Sequence, residues 1–191
     1  MQLVSDAIQD SRRWTAVLVA AFLLGSLWIW ISAIPDTATT GGLIPSPRAG
    51  FPAPDFTLDT LEGSRITLSD LRGSVVIVNL WASWCPPCRA EMPAIEQIYQ
   101  ENKAQGLEVL AVNTTFQDSE STAAKFARDF GLTFPILLDR DGSVSRRYQL
   151  QALPTTYFID RQGVIRAVVP GGPMSETLIE SKIADLLAET P

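Results

Sequence analysis

Residues 75–93 read VVIVNLWASWCPPCRAEMP, an apolar run that leads directly into a segment with helical character. The run VVIVNL, Val75–Leu80, is typical of a β-strand that is buried on both faces. The helix is expected to span residues 86–104, because proline is favoured in the first turn of a helix and Gly106 supplies a stop. The strand therefore gives way to the helix at the two cysteines of the CPPC motif.

Periodicity and turn residues on either side of this unit predict the element order β-β-β-α-β-α-β-α-β-β-α. This order indicates one α/β domain over residues 55–191, in which a central mixed sheet is flanked by helices. Leu178, Ile179, Ile183 and Leu186 are expected to form the buried face of the last helix. The remaining predicted elements are an N-terminal β-hairpin (Phe56–Asp59 and Arg65–Leu68), strand Glu108–Thr115, helix Ser119–Phe130, strand Phe134–Leu138, a short helix ending at Leu150, strands Thr155–Asp160 and Val164–Val169, and helix Ser175–Ala188.

A second apolar segment, Trp14–Ile34, contains no charged residue over 21 positions. As a helix it would be about 31 Å long, which matches the hydrocarbon core of a bilayer. We therefore expect residues 14–34 to be a transmembrane anchor and residues 1–13 a cytoplasmic tail, because Arg12 and Arg13 precede the segment. The alternative is a secretory signal peptide cleaved near Ala33, with an unusually long apolar core. Either interpretation puts the remainder of the chain on the extracytoplasmic, periplasmic side of the membrane.

The next segment, residues 35–54, reads PDTATTGGLIPSPRAGFPAP and is rich in proline and glycine. It shows neither helical nor strand periodicity, so we interpret it as a tether. A flexible coil of this length spans about 25 Å on average, which would keep the following domain close to the membrane surface.

The composition excludes several kinds of chemistry. The chain of 191 residues has two cysteines, no histidine and a net charge of −6. Without histidine there is no Ser-His-Asp triad and no Cys-His dyad, and two cysteines alone cannot complete a structural zinc site. The acidic balance argues against nucleic-acid binding. The cysteine pair therefore carries the chemistry of this chain.

Cys85 lies at the N-terminus of the predicted helix, where unpaired N–H groups and the helix dipole stabilise a thiolate. Cys88 follows one turn later and can resolve a mixed disulfide that forms on Cys85. Three alternatives remain open. The pair could be a structural disulfide, although so short a loop adds little stability. It could bind Cu(I) in a carrier that also uses Met92. The chain could also be a purely structural anchored protein.

The phrases VVIVNLWASWCPPCRAEMP and LPTTYFID together resemble the membrane-anchored thioredoxin-like proteins of the TlpA/ResA type. The resemblance extends over about Ala53–Leu187 and includes the N-terminal hairpin and the helix Ser119–Phe130, which thioredoxin itself lacks. It implies a thioredoxin-like fold and a thiol–disulfide oxidoreductase whose only redox group is the Cys85–Cys88 disulfide, with no other cofactor. It further suggests exported proteins as substrates, apocytochrome c among them. Because the domain would lie beyond the cytosolic reductant pool, we expect a transmembrane thiol protein as electron donor. We also expect the enzyme to be a monomer.

The resemblance also implies roles for individual residues. Cys85 and Cys88 match the redox pair, and Pro154 matches a cis-proline that faces it. Glu91 matches an acidic residue near the disulfide, where it would relay protons to a thiol. The alternative for Glu91 is a solvated charge on the helix face. The substrate-docking surface is expected to comprise Trp84, Pro86, Pro87, Leu153 and Pro154.

Two positions depart from related proteins in ways that affect the chemistry. Thioredoxin has a buried aspartate where this chain has Asn79, and because an amide does not titrate, a proton relay would need Glu91 or water. Val78 stands where the peroxiredoxin motif requires proline, so peroxidase activity is not expected.

The two residues between the cysteines set the degree of thiol activation. Pro86 and Pro87 lack N–H groups, so only residues from Cys88 onward can donate a hydrogen bond to the Cys85 sulfur. The strongly oxidising relatives carry a histidine in this part of the motif, which this chain does not have. We therefore expect a modestly stabilised Cys85 thiolate and a reducing protein.

Overall fold

The computed structural model describes residues 14–26, residue 28 and residues 42–189. The chain divides into two units, Met1–Ala38 and Thr39–Pro191. In the first unit, residues 14–26 are helical (α1). Within the described part of the chain, no helix has both the length and the hydropathy needed to cross a bilayer. Residues 1–13, 27 and 29–41 lie outside the described residues, so the predicted tail, anchor and first part of the tether stay predictions.

The second unit contains the α/β domain. Its elements are β1 (Thr57–Asp59), β2 (Arg65–Thr67), β3 (Val75–Trp81), α2 (Pro86–Asn102), β4 (Leu107–Asn113), α3 (Glu120–Asp129), β5 (Ile136–Leu138), α4 (Ser143–Arg147), β6 (Thr155–Ile159), β7 (Ile165–Pro170) and α5 (Glu176–Ala188). Strands β1 and β2 form an antiparallel hairpin, and the other strands form one sheet in the order β5-β4-β3-β6-β7. Strands β3, β4 and β5 are parallel, whereas β6 runs antiparallel to both β3 and β7. The predicted element order and mixed sheet are confirmed.

Strand β3 lies at the centre of the sheet, and all of its residues are buried. Its side chains alternate between two apolar cores, as expected for a strand covered on both faces. Ile77 and Trp81 belong to the core that also contains side chains of α2, α3 and α5. Val78 and Leu80 belong to the opposite core, together with Tyr148 at the end of α4. Burial on both faces fixes the carboxyl end of β3, which is where the cysteines follow.

Helix α2 begins where its sequence predicts and ends at Asn102, two residues before the predicted end. Cys85 is the N-cap, with extended backbone angles, and two prolines occupy the first turn. Pro93 lies inside the helix. The helix gives way to a short 3-10 turn, Lys103–Gln105, and the chain then reverses at Gly106, whose φ of 90° favours glycine.

The folded domain begins earlier than the composition indicates. Residues 50–53, which the sequence analysis assigns to the tether, lie beside β7. The Gly50 N–H donates to the Ile165 carbonyl over 2.7 Å, and the Ala53 N–H donates to the Gly163 carbonyl over 2.9 Å. Such backbone pairing needs no side-chain periodicity, so it leaves no pattern in a proline-rich stretch.

The expected orientation of Leu178 is wrong. Its side chain is 36% exposed, whereas Ile179, Ile183 and Leu186 are buried. These three residues, spaced at i, i+4 and i+7, form the apolar stripe of α5 by themselves. Leu178 is offset from Ile179 by about 100° around the helix, which turns it toward solvent.

Candidate active site

Cys85 and Cys88 form a disulfide at the junction of β3 and α2, with their Cα atoms 5.3 Å apart. The Cys88 N–H donates a hydrogen bond to the Cys85 sulfur over 3.3 Å. This is the first helix donor available, because Pro86 and Pro87 have none. Cys85 is 2% exposed and Cys88 is fully buried, so a partner can approach only the first sulfur. The geometry matches an attacking Cys85 and a resolving Cys88.

A groove of about 400 Å³ lies beside Cys85. Four of the five residues expected to form the docking surface line it, and Trp84 is its most exposed large side chain at 55%. The fifth, Pro154, is buried, and its peptide bond with Leu153 is cis, as the resemblance implied. The sequence analysis missed part of the lining. The groove is lined by Trp84, Cys85, Pro86, Pro87, Gln117, Leu150, Gln151, Ala152 and Leu153.

Glu91 is fully buried, so its interpretation as a solvated helix-face charge is wrong. Asn79 Nδ2 donates to Glu91 Oε1 over 2.8 Å, and the Met174 N–H donates to Oε2 over 3.0 Å. Asn79 also donates to the Thr156 hydroxyl over 2.8 Å. Burial raises the pKa of Glu91, and the hydrogen bonds from Met174 and Asn79 offset only part of that effect. The site therefore contains a buried carboxyl group one helical turn after Cys88 that holds its proton more tightly than a free glutamate.

The loop after β7 closes over this carboxyl group. The Gly171 N–H donates to the Pro154 carbonyl over 2.7 Å, which joins the loop to the cis-proline turn. At Gly172, a Cβ atom would lie 2.7 Å from Glu91 Oε2 and 2.7 Å from the Pro154 ring. Only glycine fits so close an approach, so Gly172 is needed to bring the loop, the cis-proline and Glu91 together.

Asp118 anchors the loop that precedes Cys85, a role that the sequence analysis missed. Its carboxylate accepts hydrogen bonds from the Ser83 N–H and hydroxyl, both at 2.7 Å, from Asn113 Nδ2 at 2.9 Å and from the Thr122 hydroxyl at 2.8 Å. Partial burial alone would raise the pKa of Asp118, but these hydrogen bonds outweigh it and lower the pKa to about 2. The carboxylate thus stays ionised and holds the loop in place.

Arg89 holds the same loop from the other side. Its Nη1 donates to the Ser83 carbonyl over 3.3 Å. The guanidinium lies over the rings of Phe126 and Phe130, 5.1 and 5.2 Å from their centroids. These cation–π contacts fix the orientation of Arg89 and tie the active-site loop to α3.

Met92, the third ligand of the copper-carrier alternative, belongs to the buried core that also contains both cysteines. Its side chain is fully buried, so core packing accounts for it. Within the described residues there is no group of three or more His, Cys, Asp or Glu side chains suited to hold a metal ion.

The disulfide lies at the N-terminus of the helix that follows the central strand, beside a groove that the cis-proline turn also lines. This arrangement defines a thioredoxin-like thiol–disulfide oxidoreductase. The comparisons with known proteins agree. Residues 49–168 match the AhpC/TSA family, and the chain belongs to that family. The protein is accordingly an enzyme of thiol–disulfide exchange whose redox group is the Cys85–Cys88 disulfide.

Individual relatives are similar over most of their length. The chain is 43% identical to the thiol-disulfide oxidoreductase ResA of Geobacillus kaustophilus over 129 residues. These aligned residues cover 68% of this chain and 73% of the relative. It is 44% identical to the thioredoxin-like protein YneN of Bacillus subtilis over 137 residues. This alignment covers 71% of this chain and 79% of YneN. Among solved structures, a Chlorobium tepidum protein assigned as the thiol:disulfide interchange protein DsbE superposes with a TM-score of 0.68 at 35% identity, covering 74% of this chain and 99% of its own.

Because the pKa of Asp118 is lowered from 3.8 to about 2, this group stabilises the fold above pH 4 and loses that contribution as the pH falls toward 2. We expect Asp118→Asn to be less stable than the wild type at pH 6, with the difference shrinking between pH 4 and pH 2. Urea unfolding at a series of pH values measures this. Asp185→Asn, at an exposed position on α5, serves as control and should show no such pH dependence. A destabilisation by Asp118→Asn that is constant with pH would contradict the assigned hydrogen bonding.

Proposed function

We propose that this protein is a membrane-tethered, extracytoplasmic reductase of disulfides in exported proteins. The observation that carries the proposal is the position of the Cys85 sulfur at the N-cap of α2, where the first available helix donor is the Cys88 N–H. One backbone donor without a histidine stabilises a thiolate only modestly. A dithiol that is not strongly stabilised relative to its disulfide gives up electrons readily, so reduction of substrates is the favoured direction.

Reduction of a substrate proceeds in two exchange steps. The Cys85 thiolate attacks one sulfur of the substrate disulfide, which forms a mixed disulfide and releases the other substrate sulfur as a thiolate. The Cys88 thiolate then attacks the Cys85 sulfur, which forms the Cys85–Cys88 disulfide and releases the second substrate sulfur. Two electrons pass to the substrate, and its two thiolates take up protons. A dithiol donor returns two electrons and two protons to the enzyme before the next turnover.

Glu91 is the proton acceptor for Cys88 in this scheme. Cys88 is fully buried, so it cannot lose its proton directly to bulk water. Glu91 follows it by one helical turn, and its raised pKa brings its proton affinity closer to that of a thiol. Asn79 and the Met174 N–H fix the carboxyl group in one orientation. Asn79 therefore positions the acid–base group, while Glu91 exchanges the proton.

The N-terminal sequence supports the proposed cellular location. The uncharged segment 14–34 and the preceding Arg12 and Arg13 support an anchor with the catalytic domain on the periplasmic side, connected by the tether. Substrates would be exported proteins, with apocytochrome c as the candidate that the family resemblance suggests. Because the domain lies beyond the cytosolic thiol pool, a transmembrane dithiol protein must be the electron donor. The enzyme acts as a monomer.

Removal of the resolving thiol tests both the roles of the cysteines and the location. Cys88→Ser should still attack but stall as a mixed disulfide, whereas Cys85→Ser should form none. Full-length variants expressed in cells are separated on non-reducing gels, and the trapped partners are identified by mass spectrometry. We expect exported cysteine-containing proteins and a membrane protein on the Cys88→Ser variant. Trapping through Cys85→Ser would contradict the assigned roles, and trapping of cytosolic proteins alone would contradict the location.

The role of Glu91 predicts a pH dependence for the resolving step. Burial raises the pKa of Glu91, so the carboxylate forms only as the pH rises through that raised value, and resolution should accelerate over the same range. In Glu91→Gln this acceleration should be absent and resolution should slow on the order of 10²-fold. Stopped-flow measurement of mixed-disulfide decay provides the rate, and Glu101→Gln, at an exposed position on the same helix, is the control. An unchanged pH profile in Glu91→Gln would exclude it as proton acceptor.

A further inference from the structure

The groove beside Cys85 does not end at the active site. A second depression of about 450 Å³ shares Gln117, Leu150 and Gln151 with it and extends to Phe116 and Arg146. The two depressions therefore adjoin, and together they are here called the extended groove, which reaches from Cys85 to α4.

The charge of the extended groove differs from that of the chain as a whole. The chain carries a net charge of −6, yet Arg146 is the only charged residue among those that line either depression. Arg146 is exposed, donates one hydrogen bond to the Asp141 carbonyl over 2.9 Å and forms no salt bridge within the described residues. Hydrogen bonds from Ser143 and the nearby charge of Arg146 lower the pKa of Asp141, so this carboxylate balances part of the Arg146 charge without a salt bridge. The far end of the groove thus presents a cationic side chain that forms no salt bridge in the described part of the chain.

The remaining surface of the extended groove suits an extended polypeptide. Trp84 and Phe116 are 55% and 42% exposed, and large exposed aromatic side chains commonly anchor a bound peptide. Trp84 is held in place by a hydrogen bond from its Nε1 to the Gln117 carbonyl over 3.0 Å. The backbone N–H groups of Gln151 and Ala152, which also line the groove, donate to no group among the described residues. Free backbone donors along a groove can pair with the carbonyl groups of an extended chain.

We propose that the extended groove binds a stretch of the substrate polypeptide and selects an acidic side chain, which pairs with Arg146 while the substrate cysteine lies at Cys85. This inference rests on the proposed function, since it names the kind of polypeptide that the reductase prefers. Arg146 contributes to recognition only, and the exchange chemistry stays with the cysteines.

A peptide series tests this preference. Each peptide carries one cysteine in a disulfide with thionitrobenzoate and a single Glu placed two to six residues before or after it; matched peptides carry Gln or Lys there. The Cys85 thiolate attacks the peptide sulfur, and the released thionitrobenzoate anion gives the rate by absorbance. Each rate is divided by the rate of the same protein with hydroxyethyl disulfide, a small neutral substrate, so that changes in thiol reactivity cancel. All measurements use the full-length reduced protein.

We expect Glu at one or two positions to react about two- to fivefold faster than Gln, with Lys slowest, as for a solvent-exposed ion pair. The preference should weaken as salt is raised. Arg146→Gln should abolish it and Arg146→Glu should reverse it in favour of Lys. Arg128→Glu, an equal change of charge at an exposed arginine outside the groove, should retain it.

The outcomes separate this inference from the proposed function. Equal normalised rates for Glu, Gln and Lys peptides would overturn the role of Arg146 while leaving the reductase activity in place. Loss of the preference in Arg128→Glu as well would attribute it to overall charge and also overturn the inference. Failure of the wild-type protein to react with hydroxyethyl disulfide and with every peptide would overturn the proposed function itself.

Discussion

The placement of one sulfur atom is the constraint on which the rest of this structure depends. Cys85 must cap α2, because only there does its sulfur receive a helix N–H. Strand β3, in which every residue is buried, fixes the start of the short loop that leads to that cap. Asp118 and Arg89 then hold the short connecting loop from two sides. The position of the Cys85 thiol is thus determined by the two apolar cores, by the start of α2 and by the loop that Asp118 and Arg89 hold in place.

A chain without histidine has to manage protons by other means. Here a buried carboxyl group, Glu91, is oriented by the Asn79 amide and a backbone N–H of the loop after β7. That loop also contacts the cis-proline turn, and Gly172 permits the close approach. The cis-proline turn and the Glu91 carboxyl group therefore share one support. A change in the loop would therefore alter the surroundings of both the cis-proline turn and the Glu91 carboxyl group.

The sequence predicted the parts of the fold that depend on local pattern. The apolar run of β3, the proline-rich start of α2 and the turn glycines gave the element order, and both cysteines followed from spacing alone. Features that depend on contacts distant in sequence were not predictable. The burial of the Glu91 side chain depends on the loop around Met174, 83 residues further along the chain. Asp118 precedes a helix that Ser119 caps, so its position suggests a capping region and not an anchor for the loop at Ser83. Residues 50–53 join the domain through backbone pairing, which leaves no side-chain pattern.

We propose that a helix terminus, without a histidine, activates Cys85 only modestly and so makes the protein a reductant. The reduction potential of the Cys85–Cys88 pair, measured by equilibration of the full-length protein with a glutathione or dithiothreitol couple, tests this most directly. We predict a value close to the about −270 mV of thioredoxin. A value near the about −120 mV of a strong oxidant would contradict the account, because it would require a far more stabilised thiolate than one backbone N–H provides.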